Sequence, residues 1–464
     1  MQLSAGGPRL SRAARSSLAL LVVCVANAAV ADDTTVPSFA RYKPRVEDVE
    51  NKEEGNFFSG LPLVGYDTNT GLGLGLGGYF TMNGPRTSPL FAVTPYRHRI
   101  FAQGYATTGG YQQHMLSYDG IYVGNSPFRV RATLMYERNT GANYFGVGEE
   151  TLGPLTFQGV PHSTYDEQTA AASAINPGGF ASPSYNHYQY DKPSASLTVE
   201  RDFWGGRVRA LYGAIAQYFS IGTYDGQPTQ GIDAAGQSAV APSGHGWTKL
   251  GLDCAQGRVL GCNGGWNNAL KAGVALDTRD FEPDPTKGFF VDATGEWSTK
   301  ALGSSFDYLR LTIAARAYVS PFPKLTNLVL ALRLLYSVQT SAVPFFAMDT
   351  LALTEGDQNG LGGERTLRGF RQDRFVGQVA ALGNAELRWT FVHFKLLAQR
   401  FSLQIAPLFD VGRVFDKVDF QLTNWKVSGG GGLRVGWNRS TIIMFDFGAS
   451  SEDVGFYVDF GMPF

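Results

Sequence analysis

From about residue 57 to its end the chain alternates apolar with polar or small residues. In the final stretch Val454, Phe456, Val458, Phe460, Met462 and Phe464 fall on one side of an extended backbone, and Asp453, Gly455, Tyr457, Asp459 and Gly461 on the other. Successive side chains of a strand point to opposite faces, so this text predicts a strand with one apolar face. The split recurs upstream. Phe128, Val130, Ala132, Leu134 and Tyr136 oppose Arg129, Arg131, Thr133 and Glu137. Leu328, Leu330, Leu332, Leu334 and Tyr336 oppose Val329, Ala331 and Arg333; Ala385, Leu387, Trp389 and Phe391 oppose Glu386, Arg388 and Thr390. Mid-strand charges are costly against hydrocarbon, so the second face turns to water or to ionic partners.

The spacing predicts about sixteen strands, at 58–66, 70–82, 89–105, 110–124, 127–140, 188–202, 205–221, 265–279, 287–300, 304–320, 325–341, 378–392, 400–412, 423–437, 440–449 and 453–464. Long connections near 141–187, 222–264 and 342–377 all follow odd-numbered strands and therefore open on one side. Short turns such as 125–127, 203–206, 321–324 and 438–440 lie on the other, as a single-chain barrel of the outer membrane requires. The expected fold class is all-β, a 16-stranded antiparallel transmembrane β-barrel of the outer membrane. A soluble sandwich also alternates, but it does not string so many strands into one uninterrupted series.

Composition adds limits. Charged residues make up 17% of the 464, below the quarter usual in soluble domains, while 32 Phe and 21 Tyr are present and mean hydropathy is only −0.12. Residues 1–31 read as a secretory leader: Arg9, Arg12 and Arg15 precede a short apolar run, and Ala29-Val30-Ala31 fits the small-x-small cleavage rule. Of 39 basic residues the leader takes three and no acid, leaving 36 against 40 acidic ones. Such a chain has no basic surface with which to bind nucleic acid. Residues 32–56 read as a short polar periplasmic segment, a solvated tail or one short helix, ahead of a barrel over 57–464. Cys254 and Cys262 are expected to form a disulfide in an extracellular loop. No catalytic set emerges. The six His (98, 114, 162, 187, 245, 393) lack metal spacing, Ser194 and Ser196 lack a base, and Gly71–Gly78 is a glycine face of a strand with no helix after it. No enzyme, cofactor or metal is expected; an outer-membrane phospholipase is a minor alternative.

Five phrases go beyond a generic barrel. Leu367-Arg368-Gly369-Phe370 sits in the long loop after strand eleven. Phe409-Asp410-Val411-Gly412 lies on strand thirteen and Asn384-Ala385-Glu386-Leu387-Arg388 on strand twelve. Upstream stand Leu276-Asp277-Thr278-Arg279-Asp280 with Pro285-Thr286-Lys287-Gly288, and Asn143-Tyr144-Phe145-Gly146-Val147-Gly148. In this order, and with Phe464 terminal, they resemble the motifs of the bacterial surface antigen superfamily. That superfamily includes the central subunit of the barrel-assembly machine and the two-partner-secretion transporters. The resemblance covers essentially all of 57–464. It departs from the family in one respect: 25 residues between leader and barrel are too few for a polypeptide-transport-associated (POTRA) domain.

The resemblance implies that the loop carrying Leu367, Arg368, Gly369 and Phe370 folds into the lumen, where Arg368 pairs with Asp410 and also Glu386. It further implies that Phe464, with Met462 and Phe460, forms a C-terminal barrel-assembly signal. The function implied is insertion or translocation of protein or lipid at the outer membrane. The implied partners are outer-membrane lipids, the barrel-assembly machinery during biogenesis, and a periplasmic or outer-membrane protein partner or a second copy of the chain. The alternatives are a passive or gated pore and a barrel that anchors a partner. Pro62 in strand one and the glycines of strand two weaken pairing, which suits an openable seam and plain closure equally.

Overall fold

The computed structural model describes residues 36–43, 52–67, 70–282, 284–323, 327–340, 342–396, 399–419, 421–437 and 441–464. The expected leader lies outside them. The long strands are β1 (Gly55–Asp67), β2 (Gly71–Gly84), β3 (His98–Thr107), β4 (Gln112–Gly120), β5 (Phe128–Asn143), β6 (His187–Phe203), β7 (Val208–Gly222) and β8 (Ala269–Asp277). They continue with β9 (Gly288–Ser298), β10 (Tyr308–Val319), β11 (Leu328–Gln339), β12 (Val379–Leu396), β13 (Gln399–Phe415), β14 (Lys426–Trp437), β15 (Thr441–Ala449) and β16 (Val454–Phe460). The sheet counts seventeen strands, because Gly265–Trp266 pairs separately with β7 just ahead of β8. Every ladder is antiparallel and joins neighbours in sequence; among the described residues β1 and β16 share none.

Alternation fixes the two faces. On the outside, Leu74, Leu134, Leu334 and Phe456 are 60–69% exposed, a belt that only lipid can cover. On the inside, Arg333, Arg388, Arg413 and Arg434 are at most 1% exposed, covered by loops that return over the inner wall. On the extracellular side two long connections build a cap. Residues 144–186 carry α1 (Tyr165–Ser173), whose first turn donates Glu167 N–H to the Thr164 hydroxyl. Residues 223–264 carry α2 (Lys249–Ala255), capped likewise by Thr248, and the Cys254–Cys262 disulfide. Tyr144, Tyr188, Phe219, Leu250, Phe345 and Phe346 make the apolar core that joins cap to barrel.

Three places differ from the expected strands. β3 begins at His98 rather than 89, because Leu90, Val93 and Tyr96 leave the strand pattern to pack on Ile121 and Tyr122 at the periplasmic end. Residues 36–43 are no solvated tail: Ala40 is fully buried in that same cluster and the Phe39 ring packs at a tilt on Tyr122 with centroids 5.0 Å apart. At the other terminus, alternation puts Met462 and Phe464 on the lipid face with Val458. The strand instead stops at Phe460. Gly461 takes φ +99°, a left-handed value that suits glycine, and the chain turns inward. Phe464 is then 8% exposed on the inner wall, packed with Tyr318, Val329 and Ala331. The Arg333 and Arg388 guanidiniums lie 4.9 and 5.2 Å from its ring. Met462 is half-buried beside it; the side chain of Phe460 is outside the described set.

Candidate functional site: a buried arginine and the loop that carries it

The loop between β11 and β12 is held in shape by its own residues before it touches anything. Leu361 and Phe375 bridge antiparallel, Phe370 N–H donates to Leu367 O, and the Thr366 hydroxyl donates to the carbonyls of Gly360 and Gly362. This tight turn drives Leu367 and Phe370 in one direction, into a cluster with Leu335, Leu351, Leu353, Leu382 and Val414. Burying two such side chains favours docking by about 3–6 kcal/mol in area terms, an upper bound because the undocked loop is partly collapsed. Gly369 closes the turn at φ +96°. A Cβ there would stand 2.7 Å from the Ala449 backbone, so the residue is fixed by both conformation and space.

Arg368, 1% exposed, is pressed by this turn onto the inner wall. Its Nε and Nη2 donate to Asp410 Oδ2 and Oδ1, both at 2.8 Å, and its backbone N–H adds a third bond to Asp410 at 3.1 Å. Nη1 donates to Glu386 Oε1 at 2.5 Å and to Asp446 Oδ2 at 2.9 Å. Arg434 bridges Asp446 and Glu386, Arg388 donates to the far oxygen of Glu386 at 2.8 Å, and Asn384 joins Asp410 to the Thr366 carbonyl. Three carboxylates thus face three guanidiniums with almost no water. Burial pulls the Arg368 pKa down, but Glu386, Asp410 and Asp446 outweigh it, and the group stays charged well beyond the ordinary range. The room for this centre comes from Gly432 on β14: a Cβ there would sit 2.0 Å from Asp446 and 2.2 Å from Arg434.

The loop also holds the last strand. All three polar residues on the inner face of the β16 stretch bind it. Arg371 pairs with Asp453 at 2.5 Å, Gly369 N–H donates to the Tyr457 hydroxyl at 3.0 Å, and Arg365 pairs with Asp459. In the turn before β16, Ser450 Oγ donates to Gly369 O at 2.7 Å, and Arg374 grips Glu452 in a two-bond fork. Nearer the cap, Asp349 and Asp373 line a small closed cavity with Asn143, Tyr144 and Tyr188. Burial pushes Asp349 up to about 6, and burial with Asp349 as neighbour raises Asp373 further.

Of the residues picked out from sequence, Arg368, Asp410 and Glu386 meet in one cluster, with Leu367 and Phe370 beneath them. Phe464 approaches the cluster from below, where Arg388 Nη2 donates to its carbonyl at 3.2 Å. Asp446 and Arg434 were not singled out, and Asn384 and Tyr457 stood in quoted stretches without a role. Asp446 had a signal: a lone acid between Phe445 and Phe447 in an otherwise uncharged strand.

The fold and site define a class, an antiparallel outer-membrane β-barrel with an inward-facing ionic centre gripped by one of its three long connecting loops. Residues 126–462 match the Omp85 superfamily domain, nearly three quarters of the sequence, and the chain belongs to that superfamily. It is accordingly a protein of the Gram-negative outer membrane, of the kind that inserts or secretes. Residues 41–97 match a domain of unknown function, DUF5982. Among solved structures it resembles BamA from Haemophilus ducreyi lacking POTRA domains 1–3, at 13% identity and TM-score 0.49 over 91% of this chain and 75% of that one. It also resembles CdiB from Escherichia coli, at 11% identity and TM-score 0.48 over 89% and 63%. No curated relative matches by sequence.

Proposed function

We propose that this barrel assists insertion or translocation of protein or lipid at the outer membrane, with the loop around Arg368-Gly369-Phe370 acting inside the lumen as the clamp on its seam. The observation that carries this reading is the threefold grip of the loop on β16 through Asp453, Tyr457 and Asp459. β16 is short and has a ladder partner on one side only among the described residues. An unpaired edge is a template for an incoming strand. A loop that fixes the position of that edge decides whether it is presented or withheld. The inward turn at Gly461 supports the same reading, since it carries Phe464 to the inner wall instead of continuing the β16 edge.

The test is reconstitution. Liposomes containing the refolded mature protein are offered an unfolded outer-membrane barrel as client, and the client's folded fraction is followed by its heat-modifiable migration. Arg368→Ala is expected to reduce client folding while the protein's own heat-modifiable migration persists. Full activity in that variant removes Arg368 from the mechanism. A wild-type protein that gives steady open conductance and no client folding replaces insertion with the pore.

A further inference from the structure

The periplasmic end holds a second set of contacts that the clamp does not use. Residues 36–43 lie across three periplasmic turns. Phe39 packs on Tyr122 after β4, Ala40 is enclosed by Leu90, Val93 and Tyr96 after β2, and Tyr42 N–H donates to Gly205 O after β6 at 2.8 Å. The Arg207 guanidinium stands 4.4 Å over the Tyr42 ring. From this seat a line of polar residues runs up the inner wall. The Tyr122 hydroxyl donates to Asp202 Oδ2 at 2.7 Å, and Asp202 lies opposite Arg209 in the β6–β7 ladder. Arg209 pairs with Asp277 at 2.7 Å, and with Glu282 in the turn after β8 and Glu355 in the extracellular loop, both at 3.5 Å. Arg279 of that same periplasmic turn reaches Glu355 at 2.5 Å, and Arg316 of β10 reaches it at 3.2 Å. A periplasmic turn and an extracellular loop therefore meet inside the barrel on one carboxylate. Phe290 fills the space beneath them, with Arg279, Arg316 and Arg209 at 4.1, 5.0 and 5.4 Å from its ring.

We propose that residues 36–43 are a periplasmic latch linked energetically to the extracellular loop through Tyr122, Asp202, Arg209 and Glu355, so that lifting the segment loosens the loop. Two guanidiniums along this line have alternative partners nearby. Arg209 faces Glu200 at 3.8 Å as well as Glu355, and Arg279 faces Asp277 as well as Glu355. Guanidiniums with two sets of acceptors can exchange between them at small net cost, which gives an element two discrete arrangements rather than a continuous give. When Phe39 leaves Tyr122, Asp202 loses its ordered donor and becomes a competing acceptor for Arg209, drawing it from Glu355. The linkage concerns the loop's position and holds whatever passes the seam.

The test reads loop release in the full mature protein. Ala352, on the loop and fully buried, is replaced by cysteine and reacted with a charged thiol reagent; Ala406, fully buried on β13, serves as the second position. Phe39→Ala and Tyr122→Phe are each expected to speed labelling of the Ala352→Cys variant by about tenfold, a coupling of ordinary size, and to leave labelling of the Ala406→Cys variant unchanged. In a Glu355→Gln background Tyr122→Phe is expected to add less than about twofold, since the linkage is already cut. Equal factors with and without Glu355, no change at position 352, or a parallel rise at position 406 each overturn the proposal.

Discussion

Replacing Arg368 by alanine is the sharpest test of the ionic centre. The change leaves Asp410, Glu386 and Asp446 facing only Arg388 and Arg434, so one negative charge is uncompensated in a space that excludes water. Asp410 suffers most: it keeps Asn384 and a backbone N–H but no guanidinium. Removing one partner of a buried ionic cluster costs about 3–5 kcal/mol. The separate hydrogen bonds are not to be added, because they act as a unit. The cost falls on the docked loop, since the barrel ladders are untouched. At about 1.4 kcal/mol per tenfold, the population of undocked loop rises between roughly a hundredfold and several thousandfold. Trypsin reads that population, because Arg365 and Arg371 flank the cluster and are cleaved from the open state. Arg368→Lys keeps the charge and loses the two-bond fork, so it is expected near tenfold. Arg368→Ala with Asp410→Ala is expected to be cleaved more slowly than Arg368→Ala alone, because the stranded carboxylate is gone. Cleavage of Arg368→Ala within about threefold of wild type, or a double variant whose effects simply multiply, refutes the reasoning.

Three further outcomes are expected. Gly369→Ala meets the Ala449 backbone and a disfavoured φ together, at about 1–3 kcal/mol for the backbone alone, and tryptic cleavage of the loop is expected to rise at least about tenfold. Asp349, pushed up to about 6, binds more protons docked than undocked between pH 4 and 6, so docking weakens as pH rises through that window. Labelling of the Ala352→Cys variant, divided by that of a free thiol at the same pH, should therefore be slower at pH 5 than at pH 8, and Asp349→Asn together with Asp373→Asn should flatten the difference. Cys254→Ser with Cys262→Ser opens a loop of sequence separation 8, worth about 2–3 kcal/mol to the cap. The cap's melting midpoint should fall while the heat-modifiable shift of the barrel is retained; a loss of both means the cap and barrel fold as one.

Much of this was legible in the chain because a β-barrel repeats one simple rule. Period two alone assigns Glu386, Arg388 and Asp410 to one wall, and the parity of the long connections orients the barrel. The loop's partners were harder. That Arg368 reaches Asp446 as well as Asp410 depends on the depth to which Leu367 and Phe370 sink, which packing sets and alternation does not. Two stretches misled for the same reason. Leu90 to Val93 is a short apolar run and Met462 and Phe464 continue the apolar alternation, yet each stretch has a better burial than lipid: beneath residues 36–43 in one case, between Arg333 and Arg388 in the other. Prolines 85, 89 and 95, and Gly461, were the local warnings.

The sequential pairing of strands carries a consequence for the order of assembly. Each hairpin closes a short stretch of chain, whereas the contacts of Arg368 span 18, 42 and 78 residues to Glu386, Asp410 and Asp446. Closure entropy rises only slowly with such lengths, so these contacts form early once their strands exist. All of them lie after residue 349. The C-terminal third, β12 to β16 with the loop, therefore owns a complete polar centre, while the apolar base beneath it also draws on Leu335 of β11 and Leu152 of the cap. It is the natural nucleus of this barrel. The expected order of assembly is then the reverse of synthesis, with the earlier strands added edge by edge onto a C-terminal part already set.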